Sequence, residues 1–565
     1  MGLSPNALYD AISDDLKVYD HFGPVGLGST PPDASYKQVA SSLLLHTLLK
    51  KYIVSSEVAD FVSKEKFLAS NKKCRDWSYA PEFEYDHVLF GEFRRELDRF
   101  FNPGGNMLCD SFCQILDEAR CGPGAAVLAN GNSLYAKLFS SKLSVTSQDL
   151  YLMYSSYIHA YPTFFEAECL RQKEFGDAVI VNGSKTSFVP KTVTESRMIC
   201  IEPILNMYFQ LGFGAILEKR LKSIGIDLKT QPEVNRRLSQ IGSRDNSFCT
   251  IDLSSASDSL SLSMLKLALP EYVYGILDLI RSPSTLIDGD SVDLNMMSTM
   301  GNGFTFPLQT IIFSSVIRSV YRVLDIPLSN SCDNWSCFGD DLIVDKQAYR
   351  YVVRLLNLIG CTVNESKSFF EGPIRESCGT DWFFGQPVRG VYIRSLKTKQ
   401  DILIAINLLN AWTAYTGIPL YYGVQYLISQ LRGFIPRVPL DENIDAGIRY
   451  PYTLVHKSLP NDRNGSKIYS CYRPIQRFVL VDEASIRCPG RLKKLYFNPP
   501  GLYISFLYGE LVSYKIATRH SDVRYRTKRL CSPNWDFIGF DSLTNGLKLS
   551  RQQWETAVSL NCEKP

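Results

Sequence analysis

The stretch "DNWSCFGDDLIVDK", residues 333–346, places two adjacent carboxylates, Asp340 and Asp341, directly after Gly339 and between two short apolar runs. "WSCF" and "LIV" are strand-like, and glycine as the first of two linking residues is what a type II′ hairpin turn asks for. The aspartates then stand at a hairpin tip. A polar turn is the plain alternative, since a Gly-Asp-Asp triplet is expected by chance about 0.1 times in a chain of this length.

The segments around the hairpin argue for more than a turn. "SFCTIDLSSASDSLSLSMLKLALP", 247–270, begins as a buried strand from Phe248 to Ile251, passes Asp252 and a serine-rich turn, and becomes a helix that Pro270 ends. Asp252 therefore closes a strand and can reach the same sheet edge as the hairpin tip. Between the two, "STMGNGFTFPLQTIIFSSVIRSVYRVLDIP" has a glycine loop at 301–303 and then a helix. Thr305 is expected to cap that helix and Pro307 falls in its first turn, while Leu308, Ile312, Val316, Val320 and Val323 make one apolar stripe. After the hairpin, "YRYVVRLLNLIG" reads as a helix closed by Gly360, followed by a short strand "CTV". This order predicts an α+β arrangement built around a small sheet.

Three carboxylates converging on one edge repel one another unless a divalent cation neutralises them. Mg²⁺ suits the oxygen donors, and two such ions about 3.5–4 Å apart clamp the attacking and leaving oxygens of a phosphoryl displacement. Nucleotidyl transfer is the chemistry this suggests. Its triphosphate needs cations, and "KTSFVPKTVTESRMICIEP", 185–203, carries Lys185, Lys191 and Arg197. An exposed basic loop is the alternative reading of that segment.

Composition limits the setting. With 565 residues, 45% hydrophobic and 21% charged, the chain is globular, and its length leaves the number of domains open. A net charge of +3 means that any nucleic-acid surface is a local cluster of Lys and Arg. Candidates are "RTKR" at 526–529, "RLKK" at 491–494 and "NRR" at 235–237, each of which a solvated face also explains. Fifteen cysteines without a Cys-x-x-Cys pair read as reduced thiols, and six isolated histidines argue against a zinc site. The N-terminus lacks a basic region followed by an apolar run, Asn6 spoils a myristoylation pattern, and no apolar run approaches the ~20 residues of a membrane span. A cytoplasmic protein is expected.

The segments "VPKTVTESRMICIEP", "TIDLSSASDSLSL", "STMGNGFTF" before "SSVIRS", "CFGDDLIV" and "EGPIRESCG" occur in this order between residues 180 and 400. Together they resemble the RNA-directed RNA polymerase, the replicase β subunit, of the single-stranded RNA bacteriophages of the levivirus group. The resemblance implies a right-hand polymerase of fingers, palm and thumb, with a small antiparallel palm sheet flanked by helices. Fingers would occupy 1–245, including the nucleotide-holding segment 185–203, the palm 246–395, and the thumb and C-terminal region 396–565.

Within that family's pattern Asp252, Asp340 and Asp341 match the metal-binding carboxylates, with Asp252 and Asp340 contacting two Mg²⁺ ions and Asp341 more peripheral; Mn²⁺ is an accepted substitute. Lys191 and Arg197 match the residues holding the incoming triphosphate. Ser257 or Asp258, together with Ser298 and Asn302, match the positions that sense the ribose 2′-OH, by which RNA is told from DNA. Lys367 resembles the general acid for departing pyrophosphate, a surface lysine being the alternative. Glu376, in "RESCG", stands where the next strand could face the metals. Arg524, Arg526, Lys528 and Arg529 are the candidate RNA contacts of the C-terminal region.

The partners implied are template and product RNA, ribonucleoside triphosphates, the host elongation factors Tu and Ts and a small-subunit ribosomal protein, with no membrane. The implied work is replication and transcription of the viral RNA genome in the cytoplasm of an infected bacterium. Two other readings stay open. A reverse transcriptase usually has an aromatic and a variable residue before its aspartates, where this chain has Phe338-Gly339; a non-catalytic RNA-binding protein would use the aspartates as a polar turn.

Overall fold

A computed structural model describes residues 3–31, 33–52, 56–329, 333–480, 495–512, 515–518, 523–537 and 549–563. The hairpin forms where its apolar runs predict. Ser336–Phe338 and Asp341–Asp345 pair antiparallel with Asp341 opposite Phe338, so Gly339 and Asp340 are the whole link. Gly339 has φ +61° and Asp340 is not among the residues with positive φ, the signature of a type II′ turn. The strand Phe248–Ile251 runs antiparallel along the other side of Asp341–Asp345, with Ile251 opposite Leu342. Leu342, Ile343 and Val344 are all fully buried, which marks a sheet covered on both faces.

The helices Gln231–Asp245 and Thr305–Val323 pack against this sheet. The largest core joins it to them and to the helices Glu84–Phe101, Ile204–Ser223 and Tyr349–Leu358. Leu308, Ile312, Val316 and Val320 are completely buried, as their spacing requires. Val323 departs from the expectation, because the helix emerges in its last turn and leaves that residue 37% exposed. Thr305 also departs from it. The cap position is Phe304, without a side-chain cap, and Thr305 Oγ1 donates to the Thr299 carbonyl at 3.0 Å, tying the helix to the preceding loop. Glu96, buried between the helices Glu84–Phe101 and Thr305–Val323, receives Arg99, Arg318 and Arg322 and so fixes their packing.

A second sheet has the strands in the order Ser196–Ile201, Gly183–Pro190, Ser284–Ile287, Asp290–Asp293. The helix Glu57–Arg75 covers it through Phe67 and Cys74, which join Met198, Cys200 and Ile287 in a small core. A further large core brings Leu8, Ile12, Leu43 and Leu48 together with Leu403, Trp412, Leu427 and Trp554. There Asp15 accepts the backbone N–H groups of Tyr422 and Gly423, both at 2.9 Å, at the start of the helix Tyr421–Gln430. Every cysteine among the described residues is free, and no helix among them is long and apolar enough to cross a membrane.

Candidate active site

The pairing of Phe248–Ile251 with Asp341–Asp345 brings Asp252 to the hairpin tip. Asp252 is held by the turn that follows the strand Thr362–Val363: Asn364 Nδ2 donates to its Oδ2 at 2.7 Å, and the Asn364 N–H donates to its carbonyl at 2.8 Å. Burial pushes the carboxyls of Asp252, Asp340 and Asp341 up, Asp341 to about 6. The Asp252 charge adds to this at Asp340, and both neighbours add to it at Asp341. Lys367 Nζ lies 3.9 Å from Asp252 Oδ2 and 3.8 Å from Glu376 Oε1, bridging the two carboxylates. Burial works against the Lys367 charge, yet Glu376, Asp252 and Asp341 raise its ammonium above the ordinary range.

These groups fit a hard divalent cation. They are oxygen donors that repel one another, with the half-exposed Lys367 beside them. Among the described residues no three or more His, Cys, Asp or Glu side chains are gathered so that they could hold a metal ion by themselves. An open set suits Mg²⁺, which usually takes one or two carboxylates and completes its shell with water and substrate phosphate oxygens.

Lys191 and Arg197 are exposed, at the end of and across the Gly183–Pro190 and Ser196–Ile201 ribbon. Lys191 lies 3.6 Å from Glu195, and its charge reaches Asp252 and Asp340. Ser257, Asp258, Ser298 and Asn302 are brought together. Ser298 Oγ donates to the Ser257 carbonyl at 3.1 Å, and burial pushes the Asp258 carboxyl up to about 6 against the opposing pull of the Ser257 hydroxyl and the Met300 N–H. Asn302 Oδ1 accepts from Thr299 N–H at 2.7 Å and Thr299 Oγ1 at 2.9 Å.

Arg526, Lys528 and Arg529 lie elsewhere. They are exposed on the strand Tyr525–Ser532, which pairs with Lys467–Pro474, and Arg524 precedes it, also exposed. That ribbon contributes Tyr469 and Cys471 to the second large core, not to the core under the hairpin. "RLKK" at 491–494 lies outside the described residues.

"NRR" proves to be a brace. Asn235 Nδ2 donates to the Asp341 carbonyl at 3.1 Å and to Ser377 Oγ at 3.0 Å, and its Oδ1 accepts from Ser336 Oγ. Arg236 donates to the Cys378 carbonyl, and Arg237 pairs with Asp333.

Several groups at the site had no signal in the sequence. Lys51 stacks on the Tyr392 ring at 4.1 Å, with Arg389 5.5 Å from the same ring. Burial, and then Arg389, Arg394, Arg197 and Lys367, pull Lys51 down to about 8, so five cations converge from four distant segments. Arg375 is fully buried and donates to the carbonyls of Phe248, Gly372, Ile374 and Phe370 and to Asn246 Oδ1, which fastens the strand Ile374–Ser377 to the first residue of the Asp252 strand.

Glu202 is also fully buried, and burial pushes its carboxyl up to about 7. A carboxyl raised in the folded state is fully stabilising below its unfolded value, near 4.3, and that contribution is lost as pH rises toward 7. Glu202→Gln is therefore expected to leave stability unchanged at pH 4 and to raise it at pH 8, by on the order of 3 kcal/mol at most, with the melting temperature following. Thermal melts of both proteins at the two pH values check this, and an equal shift at both would refute the buried-charge explanation.

The chain is similar to a known family. The family model "RNA replicase, beta-chain" matches residues 5–485. The RNA-directed RNA polymerase beta chain of Enterobacteria phage fr is 38% identical over 457 residues, 76% of this chain and 79% of that protein. The RNA-directed RNA polymerase subunit beta of Escherichia virus Qbeta is 40% identical over 368 residues, 63% of this chain and 59% of that protein. The corresponding subunit of Enterobacteria phage SP is 41% identical over 237 residues, 42% of this chain and 40% of that protein, so the SP and Qbeta matches each span less than two thirds of the relative. The chain belongs to the RNA replicase beta-chain family.

Proposed function

We propose that this chain is a template-directed RNA polymerase of an RNA phage, extending an RNA 3′ end with ribonucleoside triphosphates to replicate and transcribe the viral genome in the cytoplasm of its bacterial host. The observation that carries the proposal is the meeting of Asp252 with the Asp340–Asp341 tip on neighbouring strands, with Lys367 within 3.9 Å of Asp252. Fingers, palm and thumb would be carried by residues 1–245, 246–395 and 396–565.

Asp252 and Asp340 would hold two Mg²⁺ ions, or Mn²⁺ in their place, with Asp341 outside them. Bound there, the ions supply acidification of the attacking 3′-hydroxyl and neutralisation of the triphosphate charge. Lys191 and Arg197 orient the triphosphate, joined by Lys51, whose basicity is lowered first by burial and then by the neighbouring cations. Lys367, kept protonated by Glu376 and Asp252, delivers its proton to the leaving pyrophosphate. Ser257 or Asp258, with Ser298 and Asn302, face the ribose 2′-OH. Arg524, Arg526, Lys528 and Arg529 offer an exposed basic strand to RNA phosphates. Host elongation factors Tu and Ts and a small-subunit ribosomal protein complete the enzyme in this reading.

The test is nucleotide incorporation by the full chain, alone and with those host proteins, on an RNA template. Incorporation should depend on template and on Mg²⁺ or Mn²⁺, and should favour ribonucleotides over deoxyribonucleotides by about 100-fold or more. Equal use of both sugars would point to a reverse transcriptase. RNA binding without incorporation under any of these conditions would leave only a binding protein.

A further inference from the structure

Glu202 directly follows the strand Ser196–Ile201, which bears Arg197, and no step of the proposed reaction uses it. Its Oε2 accepts from Ser282 Oγ at 2.8 Å and from Gln210 Nε2 at 2.9 Å. Gln210 Oε1 in turn accepts the Gly303 N–H at 3.0 Å, so one amide connects the carboxylate to the backbone of the loop 298–303. The buried Oε1 of Glu202 has no hydrogen-bond partner among the described residues, although the Asn302 amide is near enough to favour the charged form.

The same loop is clamped from its other side. The Cys200 N–H donates to the Met300 carbonyl at 2.9 Å, and Ser298 Oγ donates to the Ser257 carbonyl at 3.1 Å. Gly301 has φ +142°, and a Cβ there would collide with the Cys200 carbonyl, so loop and strand touch backbone to backbone. Asn302 Oδ1 is occupied by Thr299 and its Nδ2 is the donor near Glu202, so Glu202 helps to set where any remaining Nδ2 hydrogen can meet a sugar hydroxyl.

We propose that Glu202 is a positioning residue that holds the loop 298–303, with Ser298 and Asn302, at a fixed height over the strand bearing Arg197, so that the choice of ribose over deoxyribose depends on this carboxylate. The inference rests on the polymerase reading. Its physical basis is that phosphate and sugar contacts of one nucleotide must be met together, and a displacement of about 1 Å costs much of the rate. A polar wall built for a hydroxyl discriminates only while its groups stay in place.

The experiment compares kcat/KM for a ribonucleotide and its deoxyribonucleotide in the wild type, Glu202→Gln and Gln210→Met. Glu202→Gln keeps an acceptor for Ser282 and Gln210 but turns a donor toward the Asn302 amide. Gln210→Met breaks the same line one residue on. Both variants should lower the ribose preference about tenfold, with the loss in the ribonucleotide arm. A purely structural role would lower both arms together and keep their ratio. Folded variants with the wild-type ratio overturn the inference and leave the polymerase reading intact, whereas a wild type that incorporates neither nucleotide overturns that reading.

Discussion

Asp340→Asn is expected to lower nucleotide incorporation by about 10³-fold or more while RNA affinity stays within about twofold of the wild type. The argument is electrostatic: stabilising the charge that develops in phosphoryl transfer is worth several kcal/mol, and a single donor removed from such a site typically costs 10²–10³-fold. Asparagine has the same shape but carries no charge, so it weakens the hold on a cation without opening a cavity. It also relieves the repulsion from Asp252 and Asp341, so folding should not suffer. Incorporation assays beside filter binding and a thermal melt separate these effects. A variant that incorporates normally would remove the aspartate tip from the mechanism.

Gly339→Ala should also lower activity strongly, while costing only modest stability. At φ +61° a side chain costs about 1–2 kcal/mol, and an added Cβ would stand 2.5 Å from Phe306 Cε2. Phe306 is packed edge-on against Phe338 at 4.7 Å and is 38% exposed, so its ring can give part of the way toward solvent. The Gly339 N–H also donates to Thr310 Oγ1 at 3.1 Å, which fixes the turn from the other side. What the ring does not relieve, together with the strain of the positive φ, falls on the turn, and the turn carries Asp340 and Asp341. We expect kcat to fall on the order of 100-fold, since small misplacements of reacting groups are expensive. The melting temperature should move by a few degrees at most. Single-turnover rates and a melting curve check the pair of expectations; unfolding without a folded, slow enzyme would show the turn to be structural only.

The hairpin, its turn type, the strand ending at Asp252 and the helices closed by Pro270 and Gly360 were legible in the sequence, because each depends on residues within a few positions of one another. Glycine placement, capping and apolar period are local physics. The same local reasoning misjudged Thr305, whose hydroxyl found a better acceptor in the folded loop, and Val323, whose stripe outlasts the core that covers it. "NRR" looked like surface charge, and only the contacts of Asn235 with Asp341 and Ser377 reveal a brace under the hairpin.

The sequence by itself determined where the carboxylates stand on their strands and which family's motifs surround them. Only the tertiary structure decided what reaches them. Lys51 meets Tyr392, Lys367 spans Asp252 and Glu376, and Glu202 acts on Gly303 through Gln210, across separations that carry no periodic signal. A pattern of apolar residues says which face is buried, not which distant side chain will be buried against it; that is settled when register and packing are settled together.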